Sequence, residues 1–164
     1  MKENTHINNI HIGLCTKSNR HIIENLTQFY FYDLQQCSKH AHYPLNMNGR
    51  FEKMPYFDNY WEEEKAYPYL IKQNDLPIGF ALVHDKTLDV KADWKMAEFF
   101  ILAAFRKQGL ARFAVSQIMK QHRGIWEVSV LKDNTIANAF WSKVLLNITP
   151  RQYPQYPDFL IYVK

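Results

Sequence analysis

Only two cysteines, Cys15 and Cys37, occur in 164 residues, far apart and in no metal-ligand spacing. That argues against a disulfide framework or a cysteine-based zinc site and suits small buried apolar roles in a reducing compartment. No run of about 18 apolar residues is present to cross a bilayer. The opening Met-Lys-Glu-Asn-Thr-His leads into no apolar region of signal-peptide type, so the expectation is a cytoplasmic protein with no membrane partner. The triplets Asn25-Leu26-Thr27 and Asn147-Ile148-Thr149 match the glycosylation pattern but, without secretion, read as chance matches. Repeats, low-complexity tracts and linkers are also missing. With 47% hydrophobic and 15% aromatic residues the chain does not read as disordered. Its length suits a single domain over residues 1–164 that needs neither disulfide nor metal to hold its core.

The net charge of +4 and pI of about 9.0 raise the question of nucleic acid. Basic residues are scattered, however, except around Arg106, Lys107, Arg112, Lys120 and Arg123, a group that suits a polyanionic small molecule equally well. No interleaving of aromatic and basic residues supplies a stacking platform, so nucleic acid is not the expected partner.

Periodicity lays out the elements. Ile10, Ile12 and Leu14 alternate as in a half-buried strand. From His21 to Ser38, Ile23, Leu26, Tyr30, Leu34 and Cys37 fall at helical spacing, with Ser18 or Asn19 placed to cap. The extra aromatics Phe29, Phe31 and Tyr32 suit either a core or the wall of a cleft. Residues 39–60 carry Pro, Gly and Asn without period and read as an ordered loop with about one helical turn. Within it His40-x-His42 alone is too little for a metal, and no metal site is expected. Trp61 to Lys65 reads as a short helical piece with its carboxylates toward water.

Tyr67 to Gln73, the turn Asn74-Asp75, and Leu76 to His84 form a hairpin pattern, with Pro77 early in its strand where it is tolerated. Asp85 to Lys95 is polar and reads as a loop. Further on, a helix through Leu110, Phe113, Ala114, Ile118 and Met119 is expected to stop at Gly124. Ile125 to Leu131 forms a strand. Asp133 or Asn134 caps a last helix carrying Ala137, Phe140, Trp141, Val144 and Leu145, and Phe159 to Val163 closes the chain as a strand. The sum is an α/β fold (α+β mixed sheet) with helices on both faces.

The most informative stretch is Ala97 to Arg112. An apolar strand, Phe99 to Leu102, turns into a basic, glycine-marked segment at the start of a helix. First-turn amides lack intrahelical partners and carry partial positive charge, which favours phosphate oxygens. Gly109 and Ala111 let those amides come close.

Arg106-x-x-Gly109-x-Ala111 after an apolar strand resembles the coenzyme A pyrophosphate loop of the GCN5-related N-acetyltransferases: Arg or Gln, two residues, Gly, one residue, then Gly or Ala. The strand Trp126-Glu-Val-Ser-Val and Asn134-x-x-Ala137-x-x-Phe140-Trp141 are similar to the family's next strand and helix. The resemblance is specific over about Lys95 to Leu146, with looser similarity to a bacterial predicted-acetyltransferase subfamily reaching back to the Tyr30 region. It implies an acyl-CoA N-acyltransferase fold with a splayed central sheet. It also implies acetyl-CoA as co-substrate, and an amine of a small molecule or protein as acceptor.

By this resemblance, Phe99, Phe100 and Ile101 present main-chain groups to the pantetheine arm. Amides of Lys107, Gln108, Gly109, Leu110, Ala111 and Arg112 hold the diphosphate, and Arg106, Lys107 and Arg112 add positive charge to the cofactor site. Asn134 meets the pantetheine or caps its helix. Glu98, at the start of the central strand, is the candidate base, since attack needs a neutral nitrogen and alkyl amines are protonated at neutral pH; the alternative is that Glu98 pairs with a nearby Lys or Arg, or faces solvent. Tyr43, Arg50 and Tyr60 are expected to meet the acceptor. The family's usual acid is a tyrosine where this chain has Trp141, whose indole cannot supply the proton. Tyr153, Tyr156, a water or bulk solvent would then protonate the thiolate. A non-catalytic acyl-CoA-binding module remains the alternative, and the aromatic-rich N-terminal half could supply a homodimer interface.

Overall fold

A computed structural model of the chain describes residues 9–39 and 41–164. His40 of the His-x-His pair and residues 1–8 lie outside them. Six strands stand in chain order across one sheet. They are β1 (Ile10–Leu14), β2 (Ala66–Gln73), β3 (Leu76–His84), β4 (Trp94–Ile101), β5 (Trp126–Leu131) and β6 (Phe159–Val163). Neighbours run antiparallel except β4 and β5, which are parallel because α2 (Leu110–Gln121) carries the chain back between them. Helix α1 (Arg20–Cys37) follows β1, and α3 (Thr135–Val144) connects β5 to β6. No helix among the described residues is long and apolar enough to cross a membrane.

The β2–β3 hairpin forms where the sequence signals it. Asn74 and Asp75 take φ of 48° and 66°, the pair of left-handed residues that a two-residue turn of matching twist requires and that Asn and Asp tolerate. Alternate residues of the strands then divide between two cores. Leu70, Phe80, Leu82 and Phe100 pack under Ile23, Leu26 and Phe31 of α1. Ala81, Val83, Met96, Val128 and Val130 pack under Val115 and Ile118 of α2 and Trp141 of α3. Each fully buried large side chain contributes roughly 1.5–3 kcal/mol of transfer free energy, so the centre of the sheet, apolar on both faces, is the rigid frame.

Several boundaries differ from expectation. Neither Ser18 nor Asn19 caps α1 through its side chain. Asn19 occupies the cap position without a cap bond, a 3-10 turn over Lys17–Asn19 leads in, and the ring Nδ1 of His21 meets the Ser18 carbonyl at 3.2 Å. The helical piece sought at Trp61 to Lys65 is a 3-10 turn over Asp58–Trp61. Strand β4 starts at Trp94, inside the stretch read as loop, because the Lys95 ammonium is neutralised by the buried Glu127 carboxylate at 2.9 Å. Helix α2 ends at Gln121, so Gly124 is not its left-handed terminus. Gly124 instead has φ 138°, and a Cβ there would fall 2.5 Å from Asp93 Oδ2, which accepts the Ile125 amide. Asn134 rather than Asp133 caps α3, its Oδ1 accepting the Ala137 amide at 3.0 Å, while Asp133 accepts from Ser38 Oγ and the Lys39 amide.

Candidate active site

Strands β4 and β5 pair only at Trp94↔Trp126, Lys95↔Glu127 and Met96↔Val128. Beyond that point β4 stays with β3 as far as Ile101, and β5 stays with β6 as far as Leu131. The sheet therefore opens into a wedge. A cleft of about 400 Å³ occupies it, walled by Lys95–Phe99 on one side and Val128–Leu131 on the other. Asn134 and Trp141 line it from the α3 face, Tyr30 and Tyr43 from the α1 face.

Past the open end of β4 the chain makes a 3-10 turn over Ala103–Phe105 and then starts α2. Lys107 (φ 61°) and Gly109 (φ 83°) are both left-handed. This conformation is cheap for glycine and costs a Cβ-bearing residue roughly 1–2 kcal/mol. Leu110, Ala111 and Arg112 supply the first-turn amides, Ala111 with the smallest side chain of the three, and the exposed Lys107 and Arg112 add positive charge. Gln108 Nε2 donates to the Ala104 carbonyl at 3.0 Å and braces the turn. Arg106 is turned inward. Its guanidinium pairs with Asp33 of α1, its Nε donates to the Ile101 carbonyl at 2.7 Å, and it lies over the Phe100 ring. Its side chain thus ties the loop to α1 and to the end of β4.

Along β4, alternation sends Phe99 and Ile101 to the α2–α3 face, where Phe99 stacks on Phe140, and sends Glu98 and Phe100 to the α1 face. Glu98 is half-buried, with its exposure onto the clefts it lines. Tyr30 donates its phenol proton to Glu98 Oε2. Burial pushes the Glu98 carboxyl up to about 7, with the Tyr30 hydrogen bond and the Lys95 charge only partly offsetting it. Burial, and then the Glu98 charge, also hold the surrounding phenols protonated: Tyr43 is pushed up to about 12, and Tyr30 and Tyr60 well above the ordinary value.

A second cleft, of about 440 Å³, lies on the other side of Ala97 and Glu98, with Tyr60, His84 and Glu63 among its walls. Glu63 does not simply face water: it pairs with Lys86 and accepts from Asn59. His84 accepts the Lys86 amide at Nδ1, and burial, reinforced by the Lys95 and Lys86 charges, pushes its pKa down.

The sequence-predicted residues thus fall into groups. Glu98 and Phe99 line the wedge together with Asn134, which both caps α3 and faces the cleft, and Lys107 to Arg112 form the turn and first helical turn past its open end. Tyr43 lines the first cleft and Tyr60 the second, whereas Arg50 is exposed and lines neither. Tyr153 donates to Asp89 at 2.6 Å, and neither it nor Tyr156 is among the cleft walls. Trp141 is 5% exposed, a core residue with one edge on the wedge. Neither Tyr30 nor His84 is marked by the sequence as a site residue. Tyr30 sits in the apolar stripe of α1, and the one hint is its hydroxyl, which a buried tyrosine must satisfy.

A mixed sheet that opens between two parallel strands, with a glycine-marked helix start past the opening, is the arrangement that the resemblance to the N-acetyltransferases implies. Solved structures agree on that fold. An acetyltransferase from Thermus thermophilus superposes with a TM-score of 0.70 at 12% identity, over 98% of this chain and 99% of its own. The yncA protein of Salmonella typhimurium, solved with its cofactor acetyl-CoA, gives a TM-score of 0.62 at 14% identity, over 96% and 94%. A Bacillus anthracis protein solved in complex with acetyl coenzyme A gives 0.58 at 11% identity, over 94% and 96%. No curated protein matches the chain in sequence. The acetyltransferase (GNAT) family model matches residues 27–145, and the chain belongs to that family.

Proposed function

We propose that the protein transfers an acetyl group from acetyl-CoA to a primary amine of a small molecule or protein. The observation that carries this reading is the wedge itself, which puts an ionisable carboxylate, Glu98, beside an unpaired strand edge that leads to a helix start built for anions.

The residues present fit such a donor. Beyond Met96 the main chain of Phe99 faces the gap and can take an extended arm as an added strand, whereas Glu98 and Phe100 turn their main chain to β3 and the Ile101 carbonyl is already held by Arg106. Amides from Lys107 to Arg112 would hold the diphosphate, with Gly109 giving close approach and the Lys107 and Arg112 side chains adding charge. Arg106 would act by holding the loop in place, and Asn134 by its place at the cleft wall. When bound, acetyl-CoA supplies the acetyl group as a thioester.

The acceptor would enter through the second cleft, past Tyr60, so that its nitrogen meets Glu98. Glu98 takes a proton from that nitrogen, a role for which a carboxyl at about 7 is well matched near neutral pH. Tyr30 holds Oε2 and leaves Oε1 for the acceptor.

Equilibrium binding of acetyl-CoA, together with thiol release over a panel of amines, tests the reading. Binding is expected to be abolished in Gly109→Trp, which blocks the approach to the amides; unchanged affinity would refute the site. Trp141, in place of the family's tyrosine, favours a second reading as a non-catalytic acyl-CoA-binding module, which binding without thiol release across the panel would establish.

A further inference from the structure

Ala97 and Glu98 alone among the described residues line both clefts, and Glu98 is the one with a proton to exchange. Other groups that could protonate a departing sulfur are engaged elsewhere or hold their protons too tightly: Tyr43, in the wall of the wedge, is pushed up to about 12 by burial. Trp141 has only an indole, Tyr153 is bound to Asp89 outside the clefts, and Tyr30 gives its hydrogen bond to Glu98 itself. Lys95 is paired with the buried Glu127.

Resting on the acetyltransferase reading above, we infer that Glu98 serves both half-reactions: it removes the proton from the acceptor nitrogen and returns that same proton to the departing sulfur.

The step balances. The acceptor's ammonium form first gives up a proton to bulk water, and the neutral amine then forms the N–C bond with its lone pair while the carbonyl π pair moves to oxygen. The nitrogen, now positive, loses a proton to the Glu98 carboxylate. The oxygen pair re-forms the carbonyl, the C–S bond breaks with its electrons on sulfur, and the Glu98 proton goes to that sulfur. Amide and thiol are the products, and Glu98 ends as it began.

The groups around Glu98 agree with this division of labour. Facing it are Tyr30 from α1, Tyr43 from the following loop, Tyr60 from the 3-10 turn and Lys95 on its own strand, with His84 and Glu63 lining the second cleft. A carboxyl at about 7 passes its proton downhill to a thiolate, whose ordinary pKa is near 8.5, whereas Tyr43 at about 12 would do so uphill.

The test compares two donors, acetyl-CoA and its oxygen-ester analogue with oxygen in place of sulfur, in wild type and Glu98→Gln. An alkoxide needs protonation far more than a thiolate. The variant is therefore expected to lose about 10²–10⁴-fold in kcat on the thioester and at least about tenfold more on the oxygen ester. Acetyl-CoA affinity should stay unchanged, which also verifies that the variant is folded. An equal loss on both donors, or a wild type inert toward the oxygen ester, overturns the shuttle while leaving Glu98 as base. No loss on either donor removes the base assignment as well, and no thiol release by wild type with any amine removes the acetyltransferase reading.

Discussion

Replacing Tyr30 with phenylalanine would isolate a single interaction. The ring packs edge-on to Phe80 and tilted against Phe100, each at 5.7 Å between centroids, and a phenylalanine ring in its place would keep both contacts. What disappears is the hydroxyl that donates to Glu98 Oε2. A hydrogen bond to a charged group is worth about 1.5–3 kcal/mol, and 1.36 kcal/mol corresponds to one pKa unit. The bond favours the carboxylate over the acid, so its loss raises the Glu98 pKa from about 7. The ascending limb of kcat/KM against pH should therefore move alkaline by about 1–2 pH units. Activity should fall several-fold or more at pH 7 and recover substantially once the pH passes the new limb. The assay is thiol release across pH 5–10 with a fixed amine, with acetyl-CoA affinity measured in parallel. A limb that stays near 7, or one that moves toward acid, would refute the claim that Tyr30 sets the charge state of Glu98.

Two further outcomes follow from the same geometry. Glu98 holds its proton to about pH 7 in the folded chain but loses it near 4.3 when unfolded, so the unfolded state binds fewer protons in between and this group's contribution to stability declines as pH rises through that window. Melting-temperature differences between Glu98→Gln and wild type should accordingly grow from near zero at pH 4 to a plateau by about pH 8, and a difference flat with pH contradicts the burial argument. Asn134→Ala removes the side-chain cap of α3 and should cost about 0.5–2 kcal/mol in denaturant unfolding. It should also weaken acetyl-CoA binding, because the same side chain lines the wedge, and unaltered binding would reduce its role to the cap.

Much of this architecture was legible in the residues. The spacing of Ala137, Phe140, Trp141, Val144 and Leu145 describes a helix, and Thr135–Val144 is one. Asn74-Asp75 between apolar runs describes a hairpin, and the hairpin is there. These features depend on local periodicity and turn chemistry, which a short window contains. Where long-range pairing decides, local reading fails: Lys95 enters β4 because Glu127 waits on a strand more than 30 residues away. Likewise Gly124 is demanded by a carboxylate on the β3–β4 connection, not by the helix before it. At the site, the resemblance to the acetyltransferases singles out Glu98 as the candidate base, although it lies in the middle of β4 rather than at its start, and nothing in the sequence names its partner. Nothing in the helical stripe of α1 tells that Tyr30, and no other aromatic of that helix, turns its hydroxyl onto the carboxylate. Arg106, marked by motif as basic, spends its charge on Asp33, a pairing across 73 residues that no spacing reveals.

The brevity of the β4–β5 join has a consequence for the fold as a whole. Three residue pairs are all the strand pairing that fastens β5, β6 and the helix between them to the four-stranded remainder. An extended guest lying in the gap would hydrogen-bond to both banks at once. It would act as the missing rung of the sheet, so that the molecule finishes building its own scaffold only at the moment it takes up its substrate.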